Sequence, residues 1–225
     1  MLNFKLHKDF KSKKRSVSIV IDTAVEANKI TAIYGVSGIG KSSILRMIAG
    51  LEIPDKGSVE YNGTSWFDSS NKTNLKLSER RIGFVYQEYN LFPNMTVEGN
   101  LKYASLNGVI PSHVNQLIDK LDMTELLSAY PSQLSGGQKQ RCALLRSLCQ
   151  NPEVLMFDEP FSSLDDDTID TIIDQLLYIQ EQHPMTILLA SHRKGIINRV
   201  ADEVIHVKGF NDFERGKPSS LLALN

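Results

Sequence analysis

The sequence has no run of about 18 apolar residues, the length a membrane-spanning helix needs, and no apolar stretch near its N-terminus of the kind a secretory signal carries. A chain that neither spans a membrane nor is exported, and that works in the cytoplasm, is therefore expected. Charge of one sign is also missing, since 25 basic residues against 26 acidic ones leave a formal net charge of −1. This excludes a bulk attraction to nucleic acid or to anionic lipid, and no nucleic-acid partner is expected. Cysteine is scarce. Cys142 and Cys149 fall on one helical pattern. Seven residues of helix separate them by about 10 Å along its axis, beyond the disulfide reach of about 7 Å. Both are expected to be reduced packing residues. Repeats and low-complexity tracts are absent, and 225 residues suit one domain carrying an inserted subdomain.

What is present is organised around Gly35-Val36-Ser37-Gly38-Ile39-Gly40-Lys41-Ser42, the spacing of a phosphate-binding loop. Gly35 and Gly40 permit the tight loop, and successive backbone N–H groups then face the phosphates. Lys41 reaches the terminal phosphates, and the Ser42 hydroxyl can ligate Mg²⁺. Ile30–Tyr34 before the loop reads as a buried strand; the residues from Ser43 read as a helix with Ile44, Leu45 and Ile48 on one face. Phosphates would sit on that helix N-terminus.

The chain opens as a hairpin, with Met1 to Phe10, a basic turn Lys11-Ser12-Lys13-Lys14-Arg15, then alternating Val17, Ile19 and Ile21. The turn reads as a solvated tip. Phe10 precedes the loop by the distance at which an aromatic stacks on a base; a place in the hairpin core accounts for it equally well. Gly50 and Pro54 end the first helix, Asn62-Gly63 marks a second hairpin, and residues 68–79 read as a polar loop. Arg81–Tyr86 reads as a strand delivering Gln87, which could reach a metal or a nucleophilic water. From Thr96 to Gln150 the pattern is mostly helical, with Val114, Leu117, Ile118 and Leu121 on one face and Ala143, Leu144, Leu145 and Leu148 on another. Strands return at Val154–Phe157 and Thr186–Ala190 around a helix carrying Ile169, Ile172, Ile173, Leu176 and Leu177, which implies a parallel sheet. Val204–Val207 reads as the last strand.

Val154–Phe157 delivers Asp158-Glu159-Pro160 to a strand's carboxyl end, where open α/β sheets bind ligands. Asp158 can hold Mg²⁺ while Glu159 polarises the water that attacks the γ-phosphate. Pro160 should restrict Glu159 to an extended backbone. Leu134-Ser135-Gly136-Gly137-Gln138 opens another helix, with Ser135 as N-cap and two glycines exposing the first N–H groups. That is a second anion site without a Lys of its own, best used on another copy's nucleotide.

These motifs, in this order, resemble ATP-binding cassette (ABC) proteins over nearly the whole chain. By that resemblance, Gly35 to Ser43 (with Val36, Ser37, Gly38, Ile39, Gly40, Lys41, Ser42) is the Walker A loop and Gln87 the Q-loop glutamine. Ser135, Gly136, Gly137 and Gln138 form the signature, Asp158 and Glu159 the Walker B pair, Ser163-Leu164-Asp165 the D-loop, and His192 the switch histidine that contacts the γ-phosphate. It implies ATP with Mg²⁺ held through Ser42, Gln87 and Asp158, and catalysis assisted by Glu159, His192, Gln87 and Lys41. It also implies nucleotide contacts from Phe10 and from the signature of a second copy.

The implied fold is α/β, a P-loop NTPase core with a mostly parallel sheet, an N-terminal antiparallel β portion and an inserted helical subdomain. The implied layout is one domain: 1–87 and 151–225 as core, 88–150 as Q-loop and helical subdomain. Finer similarity, through Ile30–Gly38, Leu91-Phe92-Pro93 and Gly99–Tyr103, is to importers of the molybdate type. It implies a homodimer with composite ATP sites on the cytoplasmic face of the membrane, permease subunits and a separate solute-binding protein. The chain departs from the usual pattern at Ser43, where Thr is common, and at Arg193-Lys194-Gly195, where acids are common. With Asn225 as the last residue, the regulatory domain many such importers carry is not expected here. Alternatives are an ABC ATPase of another transporter, a non-transport ABC protein acting on nucleic acid, and a kinase-like P-loop enzyme.

Overall fold

The computed structural model describes residues 1–11, 16–162 and 164–222; most of the basic turn (Ser12–Arg15) and the D-loop Ser163 lie outside the described residues. In chain order the elements are β1 (Leu2–Lys11), β2 (Ser16–Val25), β3 (Ile30–Tyr34), α1 (Lys41–Ala49), β4 (Lys56–Tyr61), β5 (Thr64–Asp68), β6 (Thr73–Asn74) and β7 (Ile82–Val85). There follow α2 (Val97–Ala104), α3 (Ser112–Lys120), α4 (Gly136–Leu148), β8 (Val154–Asp158) and α5 (Asp166–Gln182). The chain ends with β9 (Thr186–Ser191), α6 (Lys194–Val200), β10 (Glu203–Gly209), β11 (Asp212–Gly216) and α7 (Pro218–Leu221). Among the described residues no helix is long and apolar enough to cross a membrane.

The chain forms two compact units, one from residues 1–80 together with the segment from Thr186 onward, the other from Arg81–Met185. In the first unit the order β2-β1-β4-β5-β6 makes an antiparallel sheet, and β11-β10-β3-β9 makes a second, in which β3 is parallel to both neighbours. Asn62 (φ 48°) and Gly63 (φ 83°) both take positive φ. That is the backbone of the tight turn joining β4 to β5. The α1 helix packs on the sheet through Ile44, Leu45, Met47 and Ile48. It stops at Gly50 (φ 84°), where the Leu51 N–H returns to the Arg46 carbonyl at 2.9 Å, as a left-handed C-cap allows. Arg80, 2 % exposed, secures that end. Its guanidinium donates to the carbonyls of Ile48 (2.9 Å), Trp66 (3.1 Å) and Leu75 (3.1 Å) and to Asn74 Oδ1 (3.0 Å). A side chain at position 50 would run into the Arg80 guanidinium, so Gly50 meets both a backbone and a space requirement.

Two local expectations are corrected. Residues 68–79 contain β6 and a 3₁₀ turn at Leu77–Glu79. The last strand is β11, not the one containing Val204–Val207; its charges pair across to β10 as Arg215 with Glu203 and Lys208 with Glu214, and so few apolar residues leave no hydrophobic pattern to read. Beyond it, Leu222 joins Ala32, Ile197 and Val204 in the core.

The second unit holds β7 parallel to β8, with α2 and α3 packed on α4, and α4 packed on α5. On α5, Ile169, Ile172, Ile173, Leu176 and Ile179 are buried, whereas Leu177 is 36 % exposed. At about 100° per residue Leu177 falls at the rim of the apolar stripe, which corrects its placement on the buried face. Both cysteines are free and buried, as expected. Burial pushes the Cys142 thiol up to about 12, which suppresses the thiolate that disulfide chemistry requires.

Gly57 (φ 119°) has the Lys5 carbonyl oxygen where a side chain would start, while Gly63 (φ 83°) has nothing within reach. Gly57→Ala is expected to cost about 2–4 kcal/mol and Gly63→Ala about 1 kcal/mol, the backbone term alone. Urea denaturation of the two variants measures the difference; equal losses would contradict the clash.

Candidate functional site

In the first unit the site is made where β3 turns into α1. Gly35 lies so close to β10 that a Cβ there would sit 2.6 Å from the Val207 carbonyl oxygen, and one on Gly40 would strike Ile19. Gly38 (φ 79°) and Gly40 (φ 107°) both take the left-handed backbone that lets the chain reverse. Val36, Ser37 and Gly38 are exposed over the loop, while Ile39, Ser42 and Ser43 are half-buried. Lys41 is only 4 % exposed, and its ammonium donates to the carbonyls of Gly35 (2.9 Å) and Val36 (3.2 Å). A loop that curls around a buried cation, with a helix N-terminus beneath it, fits a polyphosphate.

Register brings a second group to the same edge. Tyr34 lies opposite Ser191 in the parallel pair of β3 and β9, so His192 leaves the sheet beside Gly35, with its side chain exposed. Phe10, half-buried near the end of β1, lies opposite Val17.

In the second unit the parallel pairing of Val85 with Phe157 sends Gln87 and Glu159 off one edge. The β8 strand is wholly buried, and Asp158 at its end is 3 % exposed. Glu159 is half-buried with φ 48°, which overturns the expected extended backbone. Pro160 disfavours the right-handed helical region, but the turn that brings the Ser162 N–H back to the Glu159 carbonyl (3.4 Å) selects the left-handed one. A non-glycine residue held there is strained, as residues at functional sites often are. Gln87 is exposed and lines a cavity of about 500 Å³ with Tyr89, Leu91, Pro93, Pro131 and Lys139.

The start of α4 behaves as the sequence indicates, with one refinement. Ser135 Oγ accepts from the Gln138 N–H (3.3 Å) while Gln138 Oε1 accepts from the Ser135 N–H (2.8 Å), a reciprocal capping box. Ser135 and Gly136 are exposed, but Gly137 is buried, and a Cβ on it would be 2.6 Å from Thr168 Cγ2. Gly137 therefore serves the packing of α4 on α5. Asp165 caps α5, accepting from the Thr168 N–H (2.9 Å) and the Thr168 hydroxyl (2.8 Å). These bonds hold its carboxyl below its ordinary value, because they favour the charged form.

Each unit by itself offers a hard oxygen of the kind that suits Mg²⁺, the Ser42 hydroxyl in the first and the Asp158 carboxylate in the second. Among the described residues no group of three or more His, Cys, Asp or Glu could hold a metal ion. Motif reading missed Asn100 and Arg146. Asn100 is fully buried, accepting from the Phe92 N–H and donating to the carbonyls of Phe92, Met95 and Thr96. Arg146 donates to the carbonyls of Tyr89 and Asn90. Carbonyl partners leave no trace in a motif.

A glycine loop around a buried lysine, at the join of a parallel strand and a helix, defines a P-loop nucleotide-binding cassette. The "Dimeric structure of a post-hydrolysis state of the ATP-binding cassette MJ0796 bound to ADP and Pi" superposes with a TM-score of 0.81 at 25 % identity, covering 97 % of this chain and 99 % of that one. Residues 20–162 match the ABC transporter family, and the chain belongs to it. The molybdenum import ATP-binding protein ModC of Saccharophagus degradans is 39 % identical over 82 % of this chain and 51 % of its own length. The methionine import ATP-binding protein MetN 3 of Shouchella clausii is 35 % identical over 94 % of this chain and 64 % of its own. The chain thus spans between half and two thirds of the length of these curated relatives.

Gly137→Ala should drive a methyl group into Thr168 and cost about 1–3 kcal/mol, the range of overpacking. Thr168→Ser deletes the obstructing Cγ2 and keeps the hydroxyl that bonds Asp165, so in the double variant most of the loss should return. Thermal denaturation decides; a double variant no more stable than Gly137→Ala would refute the packing role.

Proposed function

We propose that the chain is the ATP-hydrolysing subunit of an ABC importer. The observation that carries this reading is Lys41, a buried ammonium held by the carbonyls of its own loop at a helix N-terminus, a positive site prepared for phosphate. Its roles are divided as follows. The loop from Gly35 to Ser43 holds the triphosphate, Phe10 stacks on the base, and Ser42, Gln87 and Asp158 hold Mg²⁺. Held by those residues, the ion would supply charge neutralisation for the phosphates. Glu159 takes the proton of the water that attacks the γ-phosphorus as the bond to the ADP oxygen breaks, and His192 steadies the γ-phosphate oxygens. Water adds and phosphate leaves, so only ADP and phosphate accumulate.

The capped N-terminus at Ser135 lacks the Gly-Lys-Ser sequence that opens α1, and its use is on the nucleotide of a second copy, through Ser135, Gly136, Gly137 and Gln138. Two copies make a sandwich dimer with two composite sites, in keeping with the dimeric cassette bound to ADP and Pi. Its partners are permease subunits, reached at the cytoplasmic face through Gln87 and the surface beside it, with a separate solute-binding protein. The solute is molybdate or another oxyanion. A second reading, methionine, is favoured by the methionine import relatives that match 94 % and 95 % of the chain. Reconstitution with the permease in liposomes tests both, since the transported solute alone should raise ATP turnover.

Glu159→Gln keeps the shape and removes the negative charge, so ATP should still bind while turnover drops about 10²-fold or more, the scale of a lost general base. Turnover like that of the wild type would remove Glu159 from the mechanism. Lys41→Ala and Ser135→Arg chains spoil different halves of a composite site. Mixed together they should regain part of the activity, and a Glu159→Gln protein that stays monomeric with ATP in light scattering would rule the shared site out.

A further inference from the structure

The segment after Gln87 has an unusual backbone. Tyr89 (φ 60°) and Asn90 (φ 48°) are consecutive non-glycine residues in the left-handed region. The rest of the structure must enforce such a conformation. Two side chains from helices do so. Arg146, near the C-terminal end of α4, donates Nη1 to the Asn90 carbonyl (2.6 Å) and Nη2 to the Tyr89 carbonyl (3.0 Å). Its guanidinium also lies 5.7 Å over the Phe92 ring, which meets Tyr103 of α2 edge-on at 4.7 Å. That stacking is the cation–π geometry in which arginine is common. Asn100, also on α2, holds the other end through the N–H and carbonyl of Phe92. A planar fork with two parallel donors grips successive carbonyls in a fixed geometry. Burial lowers the Arg146 pKa, in keeping with a cation placed for its bonds and not for solvent.

The same helix begins at Ser135, about 16 Å from Arg146 along its axis at about 1.5 Å per residue. We infer that Arg146 is a positioning residue that makes the Gln87 segment and helix α4 one mechanical piece, so that displacement of the Ser135 end is delivered to Gln87. This rests on the roles given above to Gln87 and Ser135. Lys139 of α4 lines the same cavity as Gln87, Tyr89 and Leu91, a further sign that the loop is built against this helix. Arg146 touches no substrate in this scheme; its effect passes through Gln87.

Two measurements on the full chain test it. The first is a double-mutant cycle on ATP turnover with Gln87→Ala, Arg146→Met and the pair. Arg146→Met should lower kcat about tenfold and leave KM for ATP within about twofold, because the phosphate loop is untouched and only alignment is lost. In that background Gln87→Ala should cost less than about twofold more, since its position is already lost. Multiplying effects would overturn the inference, because a merely stabilising arginine would not mask Gln87. Arg146→Lys keeps the charge and tests the fork where Met impairs folding. A lysine at this position has a shorter reach and no rigid fork aimed at the Tyr89 and Asn90 carbonyls, so kcat should again fall with KM unchanged, and wild-type kcat in the Lys variant would refute the bidentate grip.

The second measurement needs no catalysis. Amide hydrogen exchange at Tyr89–Leu91 in nucleotide-free protein should speed up about tenfold or more in both variants, with the amides in the middle of α4 unchanged. Unchanged exchange at Tyr89–Leu91 would overturn the inference. A wild-type chain that hydrolyses no ATP would instead sink the proposed function, and the exchange result would still decide whether Arg146 clamps the loop.

Discussion

A loop that turns from a strand onto a helix N-terminus needs room for its backbone, and in the first unit glycines supply it where neighbours press in. Gly35 is pressed against β10 and Gly40 against Ile19, which leaves the loop between them no route but over the N-terminus of α1. The opposite end of α1 is held as firmly, since Gly50 turns the chain and Arg80 takes the Ile48 carbonyl while reaching into β5 at Trp66. Buried charges are costly unless bonded. Here Lys41 and Arg80, two of the buried cations, are both satisfied by carbonyls, one at each end of the same helix.

In the second unit the helix starts carry side-chain caps. Ser135 and Gln138 satisfy the start of α4 reciprocally, and Asp165 satisfies the start of α5, as helix N-termini require. Gly137 lets the two starts come together by removing the atom that would meet Thr168. Gly136 is exposed and Gly137 is not, and the crowding differs too, a Cβ on Gly137 meeting Thr168 Cγ2 at 2.6 Å and one on Gly136 meeting Leu164 Cδ2 at 3.1 Å.

Much of this is legible from residue order because the causes are local. Alternation draws the β1–β2 hairpin, Asn62-Gly63 its successor, helical spacing α1, α3 and α5, and Ser135 the N-cap of α4. What escapes depends on distant partners. Leu177 is misplaced because a wheel position at the rim of a stripe is decided by the neighbour it meets. Strand β11 holds to β10 partly through ion pairs, which give no apolar period. Glu159 departs from the extended form because proline excludes only one of the competing conformations, and the choice between the others is made by the turn beyond. The buried bonds of Arg80, Asn100 and Arg146 end mostly on carbonyls, which every residue possesses, so sequence alone marks none of the partners.

The first unit also sets an order of assembly. Strand β3 finds its neighbours, β9 and β10, only in the last part of the chain, whereas Arg81–Met185 is continuous. At ribosomal speeds of about 5–20 residues per second, residues 1–80 wait roughly 5–20 s before Thr186 is made. Through that interval the apolar Ile30, Ala32 and Ile33 lack the strands that flank them in the finished sheet, and unpaired apolar edges are where chains pair wrongly with one another. The strand that feeds the phosphate loop is thus the one that waits longest for its partners.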